Sequence, residues 1–161
     1  MLGKQTTLYA IALGSNRRSR HGSPAETLRA ALAELRPVAV SRIHATPALG
    51  PAGRGFANAV AIVESKLEPD ELLAELKTLE RSFGRRSGRR WGPRVLDLDI
   101  ILWSEGPWDG PGPLVPHAEF RNRAFVLKPL AELAPDWRDP VSSLTVRQLL
   151  FRLTARRVAH R

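Results

Sequence analysis

Apolar residues recur along the 161-residue chain in two rhythms, one that suits strands and one that suits helices. Thr7 to Leu13 (T-L-Y-A-I-A-L) is a short apolar run ended by Gly14, the pattern of a buried strand. Ser23-Pro24-Ala25-Glu26 is a capping box with proline at the first helical position. Ala25, Leu28, Leu32 and Leu35 follow at helical spacing until Pro37 stops the helix. Val38 to Thr46 predicts a second strand rich in β-branched residues, and Ala57 to Glu64 a third. Between them Pro47 to Phe56 holds Pro47, Gly50, Pro51, Gly53 and Gly55, a turn-forming composition. A second helix starts at Pro69 and carries Leu72, Leu73, Leu76, Leu79 and Phe83 along one side, with Gly84 as its stop. A basic loop then leads to a fourth strand, Val95 to Leu102. The order β-α-β-β-α-β predicts an α+β fold, the ferredoxin-like antiparallel sheet with two helices on one face.

Beyond this core lie a Gly/Pro-rich segment, Glu105 to Pro116, and a mixed segment, Phe125 to Leu133, interrupted by Pro129. An additional C-terminal helix, about 145–157, is capped by Thr145 with Gln148 three residues on. Its apolar side includes Leu149, Leu150 and Leu153, and Arg156 to Arg161 is expected to fray. Without repeats or a long linker, the chain reads as one domain over 1–161 with its core at about 7–137.

Composition narrows the chemistry. The sequence has no cysteine, so disulfides, thiolate metal sites and cysteine nucleophiles are excluded. His21, His44, His117 and His160 lack the spacing of a zinc site. No apolar run reaches the roughly 18–20 residues of a membrane span, and Leu8 to Leu13 is too short for a signal-peptide core. A cytoplasmic protein without a membrane partner is therefore expected. The net charge is +9, and only four of the 25 basic residues are lysine. Such an excess points to a polyanionic partner, nucleic acid or a phosphorylated small molecule, and arginine offers a planar fork for phosphate oxygens.

Strand alternation puts Asp97 and Asp99 on one face of the fourth strand and Leu96, Leu98, Ile100 and Leu102 on the other. The two carboxylates are then ~6.6 Å apart along the strand and repel each other unless a cation lies between them. Alternation alone leaves two readings open: a magnesium site, or an exposed pair neutralised by nearby arginines. Just upstream, Arg85, Arg86, Arg89, Arg90 and Arg94 fall within ten residues, among Gly88, Gly92, Pro93 and Trp91. Cations and carboxylates converging on one strand end favour phosphate binding. Gly14-Ser15-Asn16 lacks the Walker A spacing, which rules out a P-loop fold.

Five segments carry a resemblance: G-S-N at Gly14 to Asn16, T-P-x-L-G-P at Thr46 to Pro51, F-x-N at Phe56 to Asn58, R-W-G-P-R-x-L-D-L-D-I at Arg90 to Ile100, and P-H-x(5)-R-x-F-V-L at Pro116 to Leu127. Together the chain resembles the 6-hydroxymethyl-7,8-dihydropterin pyrophosphokinases of folate biosynthesis, over roughly residues 8 to 135. The resemblance implies an enzyme that transfers the β,γ-pyrophosphate of ATP to the pterin's hydroxymethyl oxygen and releases AMP. It implies that Asp97 and Asp99 hold two magnesium ions and that Arg85 and Arg94 meet the phosphates and the developing charge. His117 and Arg123 match residues on the ATP side; Glu80, Arg90, Trp91 and Ile100 match further positions near the nucleotide. Glu80 equally suits a surface position on its helix. For the pterin, Asn58 matches the residue that reads its hydrogen-bonding edge, helped by backbone groups around Thr46 and Leu49. Phe56 and Phe125 match the pair that sandwiches the ring, which gains from stacking on both faces. Arg90 and Trp91 match a loop that serves relatives as a closing lid. The chain departs from the pattern at Gly112, Leu114, Ala118 and Glu119, on the adenine and ribose side. The expected partners are ATP and the pterin, and the expected state is a monomer.

The competing reading is a ferredoxin-like nucleic-acid-binding module, favoured by the charge and the arginine-rich tail. RNA-recognition modules of this shape carry aromatics on the central strands in an RNP pattern, which the sequence lacks. Asp97 and Asp99 would also repel a nucleic acid backbone. No nucleic acid partner is therefore expected. A catalytically idle relative, the third reading, would not need Asp97, Asp99, Arg94 and Asn58 intact.

Overall fold

The computed structural model describes residues 5–46, 55–84 and 95–159. Among them run β1 (Thr7–Ser15), α1 (Pro24–Leu35), β2 (Ala39–Val40), β3 (His44–Thr46), β4 (Phe56–Ser65), α2 (Pro69–Ser82), β5 (Asp97–Trp103), α3 (Ala124–Leu133) and α4 (Val146–Ala159). The sheet order is β2-β4-β1-β5, with β3 also paired to β4, and every pairing is antiparallel. This is the strand arrangement of the predicted ferredoxin-like core.

Local chemistry explains the helix ends. The Ser23 hydroxyl accepts from the Glu26 N–H at 3.2 Å while the Glu26 carboxylate accepts from the Ser23 N–H, closing the capping box. Gly84 follows α2 at φ +105°, a conformation that side chains disfavour and that ends the helix there. At α4 the box is again reciprocal, with the Thr145 N–H on Gln148 and the Gln148 N–H on Thr145.

Both sheet faces are covered. Tyr9, Ile11 and Leu13 of β1 point to one side, where Leu28 and Ala31 of α1 and Leu72 and Leu76 of α2 pack on them. Ala10 of β1 with Val60 and Ile62 of β4 points to the other side, under Val126, Leu127 and Leu130 of α3 and Val146, Leu149 and Leu153 of α4. The C-terminal helices thus complete a three-layer sandwich, because β1 and β4 are apolar on both faces.

Several predicted details change. β1 does not end at Gly14 but continues to Ser15, because Gly14 is paired on both sides. The second predicted strand splits into β2 and β3, where Ser41 turns inward and its hydroxyl accepts from the Val60 N–H. Phe125 to Leu133 lies within the continuous helix α3 despite Pro129, whose lost hydrogen bond is offset by burial of Val126, Leu127 and Leu130. Arg156 to Ala159 stay helical instead of fraying.

Leu102 is also corrected. The β1–β5 register shifts between Ala10 and Ile11, which pair with Leu102 and Ile100 and leave Ile101 as an extra residue. This β-bulge reverses the alternation, so Leu98 and Ile100 face α1 and α2 while Leu102 faces α3 and α4.

Candidate active site

Strand pairing lays the polar residues out in ranks across the α3 face of the sheet. Asn58, Gly14 and Asp97 are direct partners on β4, β1 and β5. In the next rank Val60, Ala12 and Asp99 stand side by side. Asn58 and Asp97 are therefore about two strand spacings, ~9.6 Å, apart. Only a glycine separates them, so no side chain fills the gap.

Two adjoining clefts lie over these ranks. One, of about 410 Å3, is lined by Asn16, Thr46, Phe56, Asn58, Asp97 and Phe125. Phe56 and Phe125 are 50% and 51% exposed, rings that the core does not consume. Phe56 comes from β4 and Phe125 from the first turn of α3, in the opposing layer. His44 on β3 and the Arg42 N–H both bond the Glu132 carboxylate of α3, at 2.5 and 3.0 Å, fixing that layer against the sheet. The other cleft, of about 260 Å3, is lined by Asn58, Asp97, Asp99, Arg123 and Phe125. The two clefts share Gly14, Asn58, Asp97 and Phe125.

The electrostatics of the second cleft suit a cation. Burial first, and the neighbouring Asp97 charge second, push the Asp99 carboxyl above the usual aspartate range; His117 and Lys77 pull it back. Burial lowers the His117 pKa against the pull of Asp99, and Arg123 lowers it further. The His117 N–H donates to the Ile101 carbonyl, while its Nδ1 accepts from the Glu119 N–H at 3.1 Å. A neutral His117 thereby carries its proton on Nε2. The Arg123 guanidinium lies 5.8 Å from the Phe125 ring centre and lines the same cleft as the two carboxylates.

Glu80 is fully buried, so a surface role is excluded. Ile100 is also buried, and its side chain packs into the α1–α2 core. The Leu98 N–H reaches Glu80 at the outer edge of β5, so strand alternation puts the Ile100 backbone groups on that same edge. Leu49, Arg85, Arg90, Trp91 and Arg94 lie outside the described residues. The gap at Gly14, the placement of Asn16 and the proximity of Lys77 to Asp99 carried no functional assignment from sequence. The G-S-N motif marks Gly14 and Asn16, but the use of the gap at Gly14 depends on pairing partners more than 40 residues away.

Comparison with known proteins points to one family. The family profile described as 7,8-dihydro-6-hydroxymethylpterin-pyrophosphokinase (HPPK) matches residues 10–135. The 2-amino-4-hydroxy-6-hydroxymethyldihydropteridine pyrophosphokinase of Pseudomonas aeruginosa is 46% identical over 137 residues, covering 81% of this chain and 82% of that protein. The protein of the same name from Synechocystis sp. is 38% identical over 146 residues, covering 87% of this chain and 73% of its own length. Among solved structures, that of Plasmodium falciparum HPPK-DHPS with pteroate is similar in fold, with a TM-score of 0.71 at 14% identity, over 95% of this chain and 44% of that one. With its strand order, its paired carboxylates and these relatives in agreement, the chain belongs to the 7,8-dihydro-6-hydroxymethylpterin-pyrophosphokinase family.

Proposed function

We propose that the chain transfers the β,γ-pyrophosphate of ATP to the hydroxymethyl oxygen of 6-hydroxymethyl-7,8-dihydropterin, releasing AMP, across the Asn58–Gly14–Asp97 rank. That rank is the observation that carries the reading, because it joins an aromatic-walled cleft to a carboxylate pair through a gap without a side chain. Phe56 and Phe125 would stack on the two faces of the pterin, and the Asn58 amide would read its edge with both a donor and an acceptor. Thr46, opposite Phe56, and Leu49 would add backbone contacts.

Asp97 and Asp99 fit magnesium, being two carboxylates on one face, with the Asp99 carboxyl raised first by burial and then by the Asp97 charge, both of which a cation would offset. Two ions are proposed there; when bound, magnesium neutralises triphosphate charge and orients its oxygens. The bond that forms joins the hydroxymethyl oxygen to the β-phosphorus, and the α,β-bridging bond breaks with AMP keeping the electron pair. The hydroxyl proton passes to solvent, so no side chain is assigned as general base. His117, donating from Nε2, and Arg123 would hold the nucleotide phosphates, and Ile100 would offer its edge-strand backbone to the base. Arg85, Arg90, Trp91 and Arg94 enter this proposal by resemblance, as phosphate ligands and lid. Catalysis by a monomer is part of the proposal, to be checked by the molecular mass in solution. No described helix is long and apolar enough to cross a membrane. A cytoplasmic location is part of the proposal, to be checked by fractionation.

AMP release from ATP, magnesium and the pterin tests the reading. ADP as the product, or no turnover, would overturn it. Asp97→Ala and Asp99→Ala are each expected to lower kcat by at least roughly a hundredfold. The melting temperature should hold, since each change removes a like-charge repulsion.

A further inference from the structure

The face that α2 turns to the sheet steps through Leu72, Leu76 and Glu80 at four-residue intervals, and all three are buried. The third of these core positions is a carboxylate, with no exposed surface at all. Burying a carboxylate is costly unless it is paired, and Lys77 Nζ lies 2.9 and 3.2 Å from its two oxygens. An apolar side chain would complete the stripe without that cost, so stability does not account for a glutamate here. A bond to the sheet suggests what does. Oε1 accepts from the Leu98 N–H at 3.3 Å, in the interior of the molecule.

Leu98 lies between Asp97 and Asp99. Its own side chain points into the α1–α2 core, while both aspartates project from the opposite face. A hydrogen bond to the Leu98 amide therefore grips the strand at the point from which both carboxylates diverge. Grip is needed there, because among the described residues β5 is the last strand of the sheet and pairs with β1 alone. Three residues further on, the bulge at Ile101 interrupts even that pairing.

We propose that Glu80 is a positioning residue for the metal site: it anchors β5 at Leu98 and so fixes the relative placement of the Asp97 and Asp99 carboxylates. The inference rests on the reading of those aspartates as the metal-holding pair. It assigns the effect to the hydrogen-bond acceptor, not to the charge.

Glu80→Gln keeps an acceptor of the same length, and Glu80→Met restores an apolar stripe of similar volume. The Gln variant should retain magnesium half-saturation for AMP release within about threefold of the parent. In the Met variant half-saturation should rise about tenfold and kcat should fall, with the KM for the pterin unchanged. Amide exchange read by NMR on the metal-free protein gives an independent measure. Leu98 should lose protection in the Met variant and keep it in the Gln variant.

A folded Met variant with parental magnesium dependence and Leu98 protection would overturn the proposal. If the Met variant does not fold, the Gln variant decides: tenfold weaker magnesium dependence at a parental melting temperature would refute the acceptor role, and parental behaviour would uphold it. Asp97→Ala separates this outcome from a failure of the underlying reading. Retained turnover in that variant would remove the metal site itself, whereas its loss beside a parental Glu80→Met would remove only the anchor.

Discussion

A Cβ placed on Gly14 would lie 3.3 Å from Asn58 Oδ1, closer than side-chain carbons normally approach an oxygen. The glycine is thus required by the space that Asn58 needs, not by its backbone angles. Gly14→Ala should push the amide away from the pterin edge by a few tenths of an ångström. Overpacking of this size costs about 1 kcal/mol, so the KM for the pterin should rise roughly fivefold. The KM for ATP should hardly change, because the ATP side is lined from β5 and the segment leading into α3. Steady-state kinetics with each substrate varied in turn would decide, and equal changes in both constants would argue against the gap. The G-S-N motif marks this glycine, yet the sequence cannot show that Asn58, 44 positions later, is its pairing partner.

Among the elements, the segment that joins α3 to α4 is fastened by a buried carboxylate. Asp139, without exposed surface, accepts from Arg121 Nε and Nη2 at 2.5 and 2.8 Å, from the Ser142 hydroxyl at 2.6 Å and from the Val141 N–H at 3.0 Å. Burial would raise its pKa, but these donors outweigh burial and hold it down to about 2. A depressed folded-state pKa stabilises the fold above the unfolded value of about 3.9, and that contribution is lost as pH falls toward 2. The charge contributes about 2 kcal/mol at neutral pH on this basis. Asp139→Asn should therefore be destabilised near neutrality, with the gap to the parent narrowing as pH drops from about 5 to about 2. Urea unfolding along that pH series tests it; a gap that stays constant would mean the charge is not responsible. Pattern reading finds the helix and its Thr145 cap, since both are local. It cannot find the Arg121–Asp139 tie, whose partners are 18 residues apart and separated by α3.

The whole molecule separates its stabilising layer from its chemical one. α1 and α2 seal one face of the sheet, while α3 carries Phe125 over the other, where the aspartates lie. Glu80 links the two through the strand between them. The net charge of +9 acts at this largest scale, by drawing polyanions toward the protein. Raising ionic strength from about 0.05 to 0.5 M shortens the screening length severalfold, so the KM for ATP should rise several-fold. The uncharged pterin should bind within about twofold of its low-salt affinity. Parallel weakening of both substrates would show that the charge does not steer the nucleotide.

The sequence by itself determined the order of the core elements, the helix caps and the residues proposed to carry the chemistry. Each of these is written in neighbouring residues: the Ser23 and Thr145 boxes, the Asp97–Asp99 alternation, and the motifs around Asn58 and His117. It also placed the chain in its family, through segments too specific to recur by chance. Tertiary structure decided what depends on distant partners. Pairing brought Asn58, Gly14 and Asp97 into one rank, and packing of the opposite layer put Phe125 and Phe56 on one cleft. A single extra residue at Ile101 sent Leu102 to the other face, a reversal that no reading of period two anticipates. Glu80 shows the division most clearly. On the helix alone it suits a surface glutamate, and only the packing of α2 onto β5 buries its carboxylate against the Leu98 amide.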